Sequence, residues 1–314
     1  RAGICQPARM RVFVTGAAGF VGRKLLDRLD RAGHDATGVD REVDVTDRRA
    51  IERALSEHAP QAIIHLAAMS SVAQSWREPE RCFELNWGGT RNLLLAARSA
   101  CARARISLVG SADAYGTSEP RDRGLDESTP LAPKSPYART KAAAELLGEA
   151  AARAGMDVVR VRAFNHTGKG QSDQFVVSSF ARQVAAIRRG DQAPRMRVGN
   201  LESVRDFLHV DDVLDAYVRL LDPTVPARVY NIASERPVRI QTVLDRLIEI
   251  AGIEPSVERD PERWRPTDWS VGDASRLRAA TGWTPRVTLD EILQELFEDW
   301  LEQDREPSDV APAS

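Results

Sequence analysis

The stretch RVFVTGAAGFVGRKLLDRLDRAG, residues 11–33, leaves few folds open. A short β-rich run ends in Gly16, Gly19 and Gly22 follow at close intervals, and apolar residues then recur at helical spacing up to a glycine stop. A strand that turns through glycines straight into a helix aims the free N–H groups of that helix at the end of the strand. Such an end favours anions, and the glycines keep the backbone open enough for a diphosphate to reach it. The triplet alone is weak; its place between strand and helix is what gives it weight.

The same rhythm repeats downstream. DATGVD reads as a strand, DRRAIERALSEH as a helix, QAIIHLAA as a buried strand and ERCFELNWGGTRNLLLAARSA as one long helix. RISLVGS, a helix opening near Ser135, and DVVRVRAFN continue it. Alternating strands and helices predict a doubly wound α/β fold, a parallel sheet covered on both faces. After Asn165 the rhythm changes: FVVSSFARQVAAIRRG is helical, and a proline-, tryptophan- and arginine-rich stretch precedes a last amphipathic helix. The predicted division is a dinucleotide-binding domain over 10–165, to which part of 206–235 returns, and a smaller domain over 166–205 and 236–305. Residues 1–9 and 306–314 read as tails; the former, RAGICQPAR, is a leader or an added remnant, and the latter is proline- and serine-rich.

Composition narrows the class of ligand. Lysine plus arginine (44) nearly balances aspartate plus glutamate (46), so no global field gathers nucleic acid or an anionic membrane, and any anionic ligand must be met by locally placed arginines. The 3 cysteines form no C-x-x-C pair, which fits idle thiols in a reducing cytoplasm better than a secreted framework. No apolar run approaches the roughly 20 residues that cross a bilayer. A soluble, cytoplasmic protein is expected.

SPYARTKAAAE places Tyr137 and Lys141 four positions apart at the head of an alanine-rich helix, hence on one face. Taken singly, such a pair is an aromatic ring under a lysine stem as readily as a phenol beside an ammonium. Asp40 closes the second strand, where its carboxylate can accept the two hydroxyls of an adenosine ribose and repel a 2'-phosphate. Arg41 beside it keeps a phosphorylated cofactor open, and a plain turn aspartate is the other reading.

With Gly16, Gly19, Gly22, Asp40, Tyr137 and Lys141 in this order, the chain from about Met10 to Trp300 resembles the extended short-chain dehydrogenase/reductase family. DVTD, HLAA, ELNWGGTRN and GSADAYG add to the likeness. The resemblance implies an NAD(P)-binding site formed by Gly16, Gly19, Phe20, Val21, Gly22, Asp40, Arg41, Asp44, Val45, Leu66, Ala67, Ala68 and Asn86, with Tyr137 and Lys141 at the nicotinamide end. Asp40 tips the choice to NADH. It also implies that Ser111, four residues before Tyr115 of the YG pair, binds the substrate oxygen, although a serine there can equally cap the strand end. A phenol that titrates near pH 10 shuttles protons poorly at neutral pH, and the Lys141 ammonium, with the cationic nicotinamide when oxidised, is expected to stabilise its anion.

The second half is similar to the reductases of GDP-4-keto-6-deoxy-mannose, through FNHTGKGQ, FVVSSFARQ, VGNLESVRDFLHVDDV and RWRPTDWSVGDASRLRAATGW. Lys169 stands where that likeness leads one to expect proline. By the same likeness Asn165, Val177, Arg205 and Arg265 face a nucleotide sugar; arginine's fixed fork suits a diphosphate, and a salt bridge to Asp206 or a neighbour is the other reading of Arg205. The 4,6-dehydratases of the family place an acid and base pair directly after the catalytic hydroxyl, and here those positions hold Ala112 and Asp113. Ala112 has no proton to give, which disfavours elimination and leaves reduction of a C4 ketone, or 4-epimerisation. A non-catalytic dinucleotide sensor is the rival from another class, opposed by the retained Ser111, Tyr137 and Lys141. The 5 histidines lack metal-ligand spacing, so no metal is expected. Small residues in AAAELLGEAAARAG and in the helix over 90–101 suit a homodimer interface between helices.

Overall fold

A computed structural model describes residues 9–116, 119, 123–261 and 268–303. The first half alternates as the periodicity predicts: β1 (Arg11–Thr15), α1 (Phe20–Arg31), β2 (Asp35–Val39), α2 (Arg48–His58), β3 (Ala62–His65), α3 (Val72–Arg77), α4 (Pro79–Phe83), α5 (Gly89–Ala100), β4 (Arg105–Val109), α6 (Pro136–Arg153) and β5 (Val158–Ala163). The long helix expected over 80–100 is interrupted, since α4 runs into a π-helical turn at Glu84–Gly88 before α5. Extra residues of this kind in a helix re-aim side chains, often at a functional site.

The remainder comprises β6 (Asn165–Thr167), α7 (Val176–Arg189), β7 (Arg195–Val198), β8 (Val204–Arg205), β9 (Phe207–His209), α8 (Val210–Arg219), β10 (Val229–Ile232), β11 (Val238–Arg239), α9 (Ile240–Ala251), β12 (Ser256–Arg259), β13 (Trp269–Ser270), α10 (Ser275–Thr281) and α11 (Leu289–Gln303). Six strands form one sheet in the order β10-β5-β4-β3-β1-β2, every pair parallel. This is the doubly wound α/β sheet that the sequence implies. Strand alternation splits the side chains between faces. Phe13, Ile63 and Ile106 pack with Ile51 and Leu55 of α2 and Leu93 of α5. Val12, Val14 and Ile64 pack with Leu25 and Leu29 of α1 and Leu214 and Tyr217 of α8. Both faces are covered, as a parallel sheet requires.

A second core lies apart, built from Phe180 and Val184 of α7, Val243, Leu244 and Leu247 of α9, and Ile292, Leu293 and Leu296 of α11. Two-residue and three-residue strands join it to the sheet: β6 pairs with β9, and β8 lies between β11 and β13. Since the large sheet is parallel, the carboxyl ends of β1, β3, β4 and β5 open on one edge, and β6 and β9 begin there. The crevice beyond that edge is where such folds hold ligands. No helix among the described residues is long and apolar enough to cross a membrane.

Candidate active site

The turn after β1 is fixed by contact. Gly16 has φ +73°, and a Cβ there would lie 2.7 Å from the Ala67 nitrogen. A Cβ on Gly22 would lie 2.3 Å from the Gly16 carbonyl oxygen, so α1 is pressed against its own entry turn. Gly19 is the N-cap of α1 with no side-chain cap, and the first turn carries no acidic residue. The helix end therefore keeps its positive character for an anion. Phe20 and Val21 lie half-buried behind it, packed on the first core.

Asp40 is within this turn's reach, for its Oδ2 accepts the Ala18 N–H at 3.0 Å. The Asp40 N–H donates to Glu42 Oε1 at 2.7 Å, so a second carboxylate, not singled out in the sequence, stands beside it. Arg41 is exposed. Asp44 accepts from the Thr46 N–H and hydroxyl, each at 2.8 Å, and these bonds hold its carboxyl below the usual range. Val45 is buried, in contact range of Gly89, while Asn92 donates to its carbonyl at 3.2 Å.

Leu66, Ala67 and Ala68 follow β3 half-buried at the sheet edge. A chain of bonds fastens them. The Ala67 N–H donates to Thr15 Oγ1 at 3.3 Å, Thr15 Oγ1 lies 2.7 Å from His65 Nδ1, and His65 Nε2 lies 3.2 Å from Thr90 Oγ1. The Thr90 hydroxyl donates to the Asn86 carbonyl at 2.6 Å, so the chain assigns His65 its proton on Nε2. Burial and the Lys141 charge push His65 down to about 3, and it serves as a neutral connector. Asn86, implied by resemblance at the cofactor, spends its side chain on protein. Its Oδ1 accepts the Met69 N–H at 2.8 Å, and Nδ2 donates to the Met69 carbonyl at 3.1 Å and Thr140 Oγ1 at 2.9 Å. It ties the loop after β3 to α6.

Helix α6 begins at a Ser135 cap, whose Oγ accepts the Ala138 N–H at 3.1 Å, with Pro136 in its first turn. The Tyr137 N–H donates to Ser75 Oγ at 3.1 Å; Ser75 is fully buried and was not foreseen, since nothing in its local sequence signals the contact. Tyr137 packs with Met69 and Cys82, and Lys141 Nζ donates to the Val109 carbonyl at 2.8 Å. The capping reading of Ser111 is seen: its Oγ accepts the Asp113 N–H at 3.1 Å, capping a 3-10 turn at Ala112–Tyr115, and its hydroxyl stands beside the Tyr137 phenol.

Without the cofactor, burial dominates the electrostatics of the pair. Burial raises Tyr137 above its ordinary value and the Asp113 charge adds to this, the Ser111 bond opposing. Burial also lowers Lys141 to about 8. Desolvation is the largest influence on both groups in the ligand-free site, so the phenol holds its proton and the lysine is poised near neutrality. Ala112 is buried in the first core, whereas the Asp113 side chain is open to the crevice. Protein surrounds Asp113 closely enough that lost hydration raises its carboxyl; Arg205 opposes and Asp268 adds.

On the substrate side, Asn165 is exposed and its Nδ2 donates to the Asp206 carbonyl at 3.3 Å. Arg205 pairs with Asp268, Nη2 to Oδ1 2.6 Å, rather than with Asp206. Asp206 is buried and accepts the N–H groups of Ser234, Glu235 and Gly272. Val177 is a correction: it is 2 % exposed and belongs to the second core, while the exposed apolar residues are Phe175 and Val176. One helical position turns a side chain by about 100°, enough to swap crevice for core. Arg265 lies outside the described residues. Among the described residues no group of three His, Cys, Asp or Glu side chains could hold a metal.

Comparison with known proteins supplies the family. A family model described as GDP-mannose 4,6 dehydratase matches residues 41–296. The chain is 36% identical to GDP-6-deoxy-D-mannose reductase of Pseudomonas aeruginosa, over 94% of this chain and 99% of that protein. A solved structure of RMD from Pseudomonas aeruginosa complexed with NADPH superposes with a TM-score of 0.86 at 35% identity, covering 93% of this chain and 99% of that one. The UDP-glucose 4-epimerase of Thermus thermophilus in complex with NAD superposes with a TM-score of 0.84 at 30% identity, covering 94% and 100%. The chain belongs to the GDP-mannose 4,6 dehydratase family, among the extended short-chain dehydrogenases/reductases with their nicotinamide-dependent oxidoreductase chemistry.

Proposed function

We propose that this protein reduces the C4 ketone of a nucleotide-linked 4-keto-6-deoxy sugar, GDP-linked by first choice, with NADH favoured over NADPH. The observation that carries the reading is the Ser111, Tyr137 and Lys141 constellation at the sheet edge beside an uncapped glycine turn. The residues fit a dinucleotide: the α1 N-terminus for the diphosphate, Asp40 for the adenosine ribose, Asp44 and Val45 by the adenine, and the turn after β3 with Lys141 at the nicotinamide end. Bound there, the reduced nicotinamide supplies a hydride. Ser111 holds the ketone oxygen, Tyr137 keeps its proton until that oxygen gains charge and then donates it, and Lys141 offsets the resulting phenolate. Asn165, Arg205 and Arg265 hold the nucleotide sugar, with the second core closing over it.

Ala112 supports reduction over elimination, since only Asp113 of the two positions after Ser111 carries a carboxyl. The protein works in the cytoplasm as a homodimer. Phe83 stacks on Trp87 at 5.0 Å while remaining 47% exposed, and Leu146 of α6 is 61% exposed. These side chains suit a second copy of the same face. The test is incubation with GDP-mannose alone, which leaves it unchanged, and then with a separate dehydratase and reduced cofactor, which yields a GDP-6-deoxy sugar with stoichiometric cofactor oxidation. Dehydration by this chain alone would falsify the reading. A second reading, 4-epimerisation, is favoured by the likeness to the UDP-glucose 4-epimerase and predicts turnover with no net cofactor consumption.

A further inference from the structure

The loop over 168–171 follows β6 and bears the unexpected Lys169. Its fastenings converge on α11. The Gly170 N–H donates to Asp299 Oδ2 at 2.7 Å, and Gln303 Nε2 donates to the same oxygen at 2.8 Å. Lys169 Nζ lies 3.6 Å from Asp299 Oδ1 and 3.6 Å from Glu302 Oε2. The Asp299 side chain is only 4% exposed, whereas Lys169 is 54% exposed. A second line of bonds runs alongside: Trp300 Nε1–H donates to Ser178 Oγ at 2.9 Å, and Ser178 Oγ donates to the Gln171 carbonyl at 2.7 Å. Beneath the loop, His209 meets Glu295 of α11 at 2.5 Å, and a Cβ on Gly168 would lie 3.1 Å from His209 Nε2.

A carboxylate taken out of water is costly unless bonds and charge compensate it. Here the compensation comes from a loop distant in sequence, so the helix and the loop hold each other's conformation. β6, from which the loop springs, pairs with β9, setting Asn165 beside Phe207 and close in the chain to Arg205. Ser111 follows β4, and Tyr137 and Lys141 stand on α6.

We propose that Asp299 is a positioning residue for nucleotide-sugar binding: through Gly170 and Lys169 it sets the loop over 168–171 that shapes the sugar-nucleotide side of the crevice. This rests on the proposed function. The test uses the full chain with Asp299→Ala, Asp299→Asn and Lys169→Met, measuring KM and kcat for the 4-keto GDP-sugar, Kd for GDP by calorimetry, and amide hydrogen exchange of the loop. Asp299→Ala raises KM and the GDP Kd about tenfold and speeds loop exchange, while kcat and the cofactor KM stay within about twofold. Asn retains an acceptor for the Gly170 N–H and restores most of the affinity. Unchanged KM, Kd and loop exchange in a folded Asp299→Ala protein overturn the proposal, as does a fall in kcat alone. Should Asp299→Ala not fold, Lys169→Met decides: unaltered KM and loop exchange in that variant overturn it. Failure of the wild type to bind GDP sinks the substrate reading, and loop exchange then still decides the role of Asp299.

Discussion

The turn after β1 and the loop over 168–171 are held in opposite ways: the turn leaves the N-terminus of α1 without a side-chain cap, whereas the loop spends its Gly170 N–H on Asp299. The turn is set by its own glycines and by strands that pair with β1. The loop is set by Asp299, 129 positions away from Gly170. The first arrangement is written in adjacent residues, and the second exists only after the chain has folded. A local device tolerates change elsewhere in the chain, and a distant one ties binding to the stability of a whole helix. The comparison predicts that damage on the cofactor side strikes chemistry and cofactor affinity, while damage on the substrate side strikes KM.

The largest separation comes from Tyr137→Phe. It removes the hydroxyl alone, leaving the ring packed with Met69 and Cys82 and the backbone bond to Ser75. Turnover falls about 10²–10⁴-fold while the melting temperature and cofactor Kd hold. Steady-state kinetics with cofactor titration check this, and substantial residual turnover would remove Tyr137 from its role. Gly16→Ala comes next. The added Cβ meets the Ala67 nitrogen at 2.7 Å in a left-handed backbone, a strain of about 2–3 kcal/mol, or about a hundredfold in cofactor Kd if it falls on the bound state. Fluorescence titration of reduced cofactor reads it; equal affinity in wild type and variant would mean that the turn is not the diphosphate site.

These two positions were legible in the sequence because their geometry is local. Glycine spacing and the four-residue step from Tyr137 to Lys141 fix relative placement before any tertiary contact forms. Ser75, Thr90 and Asp299 were not legible, because each acts through a partner far along the chain. Val177 shows the limit within one helix, where a single position separates the core from the crevice. Likewise, the ion pair read for Arg205 from the sequence was with Asp206 or a neighbour, whereas its partner is Asp268, which arrives on the segment entering β13. The raised phenol of Tyr137 in the ligand-free site was not legible for another reason: charge can be read along a helix, but desolvation depends on everything packed around it.

On the substrate side the expected effect is smaller. Arg205 already forms an ion pair with Asp268 and bonds to the Val204 carbonyl at 3.0 Å, so its guanidinium is held ready. Arg205→Lys keeps a charge and loses the fork. KM for the nucleotide sugar rises about tenfold with kcat and cofactor affinity little changed. An altered kcat at constant KM would place Arg205 in the chemistry and blur the two regions.

The smallest effect concerns Lys141 and sharpens the comparison on the cofactor side. Burial lowers its pKa to about 8 from 10.5. Between those values the unfolded chain binds more protons than the folded one, so this group makes stability rise with pH across that window. Below pH 8 the folded protein bears the full cost of a buried ammonium, and above 10.5 it bears none. The raised phenol of Tyr137 acts with the opposite sign, because the unfolded phenol releases its proton near pH 10 while the folded one keeps it. Cys82 and Cys101, raised by burial, act with the same sign as Tyr137 from about pH 9, so the informative quantity from pH 8 to 10 is the difference between wild type and a Lys141 variant. Over that range, denaturant titrations of wild type and Lys141→Met should converge: the variant's stability advantage from losing the buried charge is greatest at pH 7 and shrinks as pH rises. A constant difference from pH 7 to 10 would mean that Lys141 keeps an ordinary pKa in the ligand-free protein. It would then be a fixed cation for the phenol, as the helical spacing alone suggests, rather than a group poised by burial.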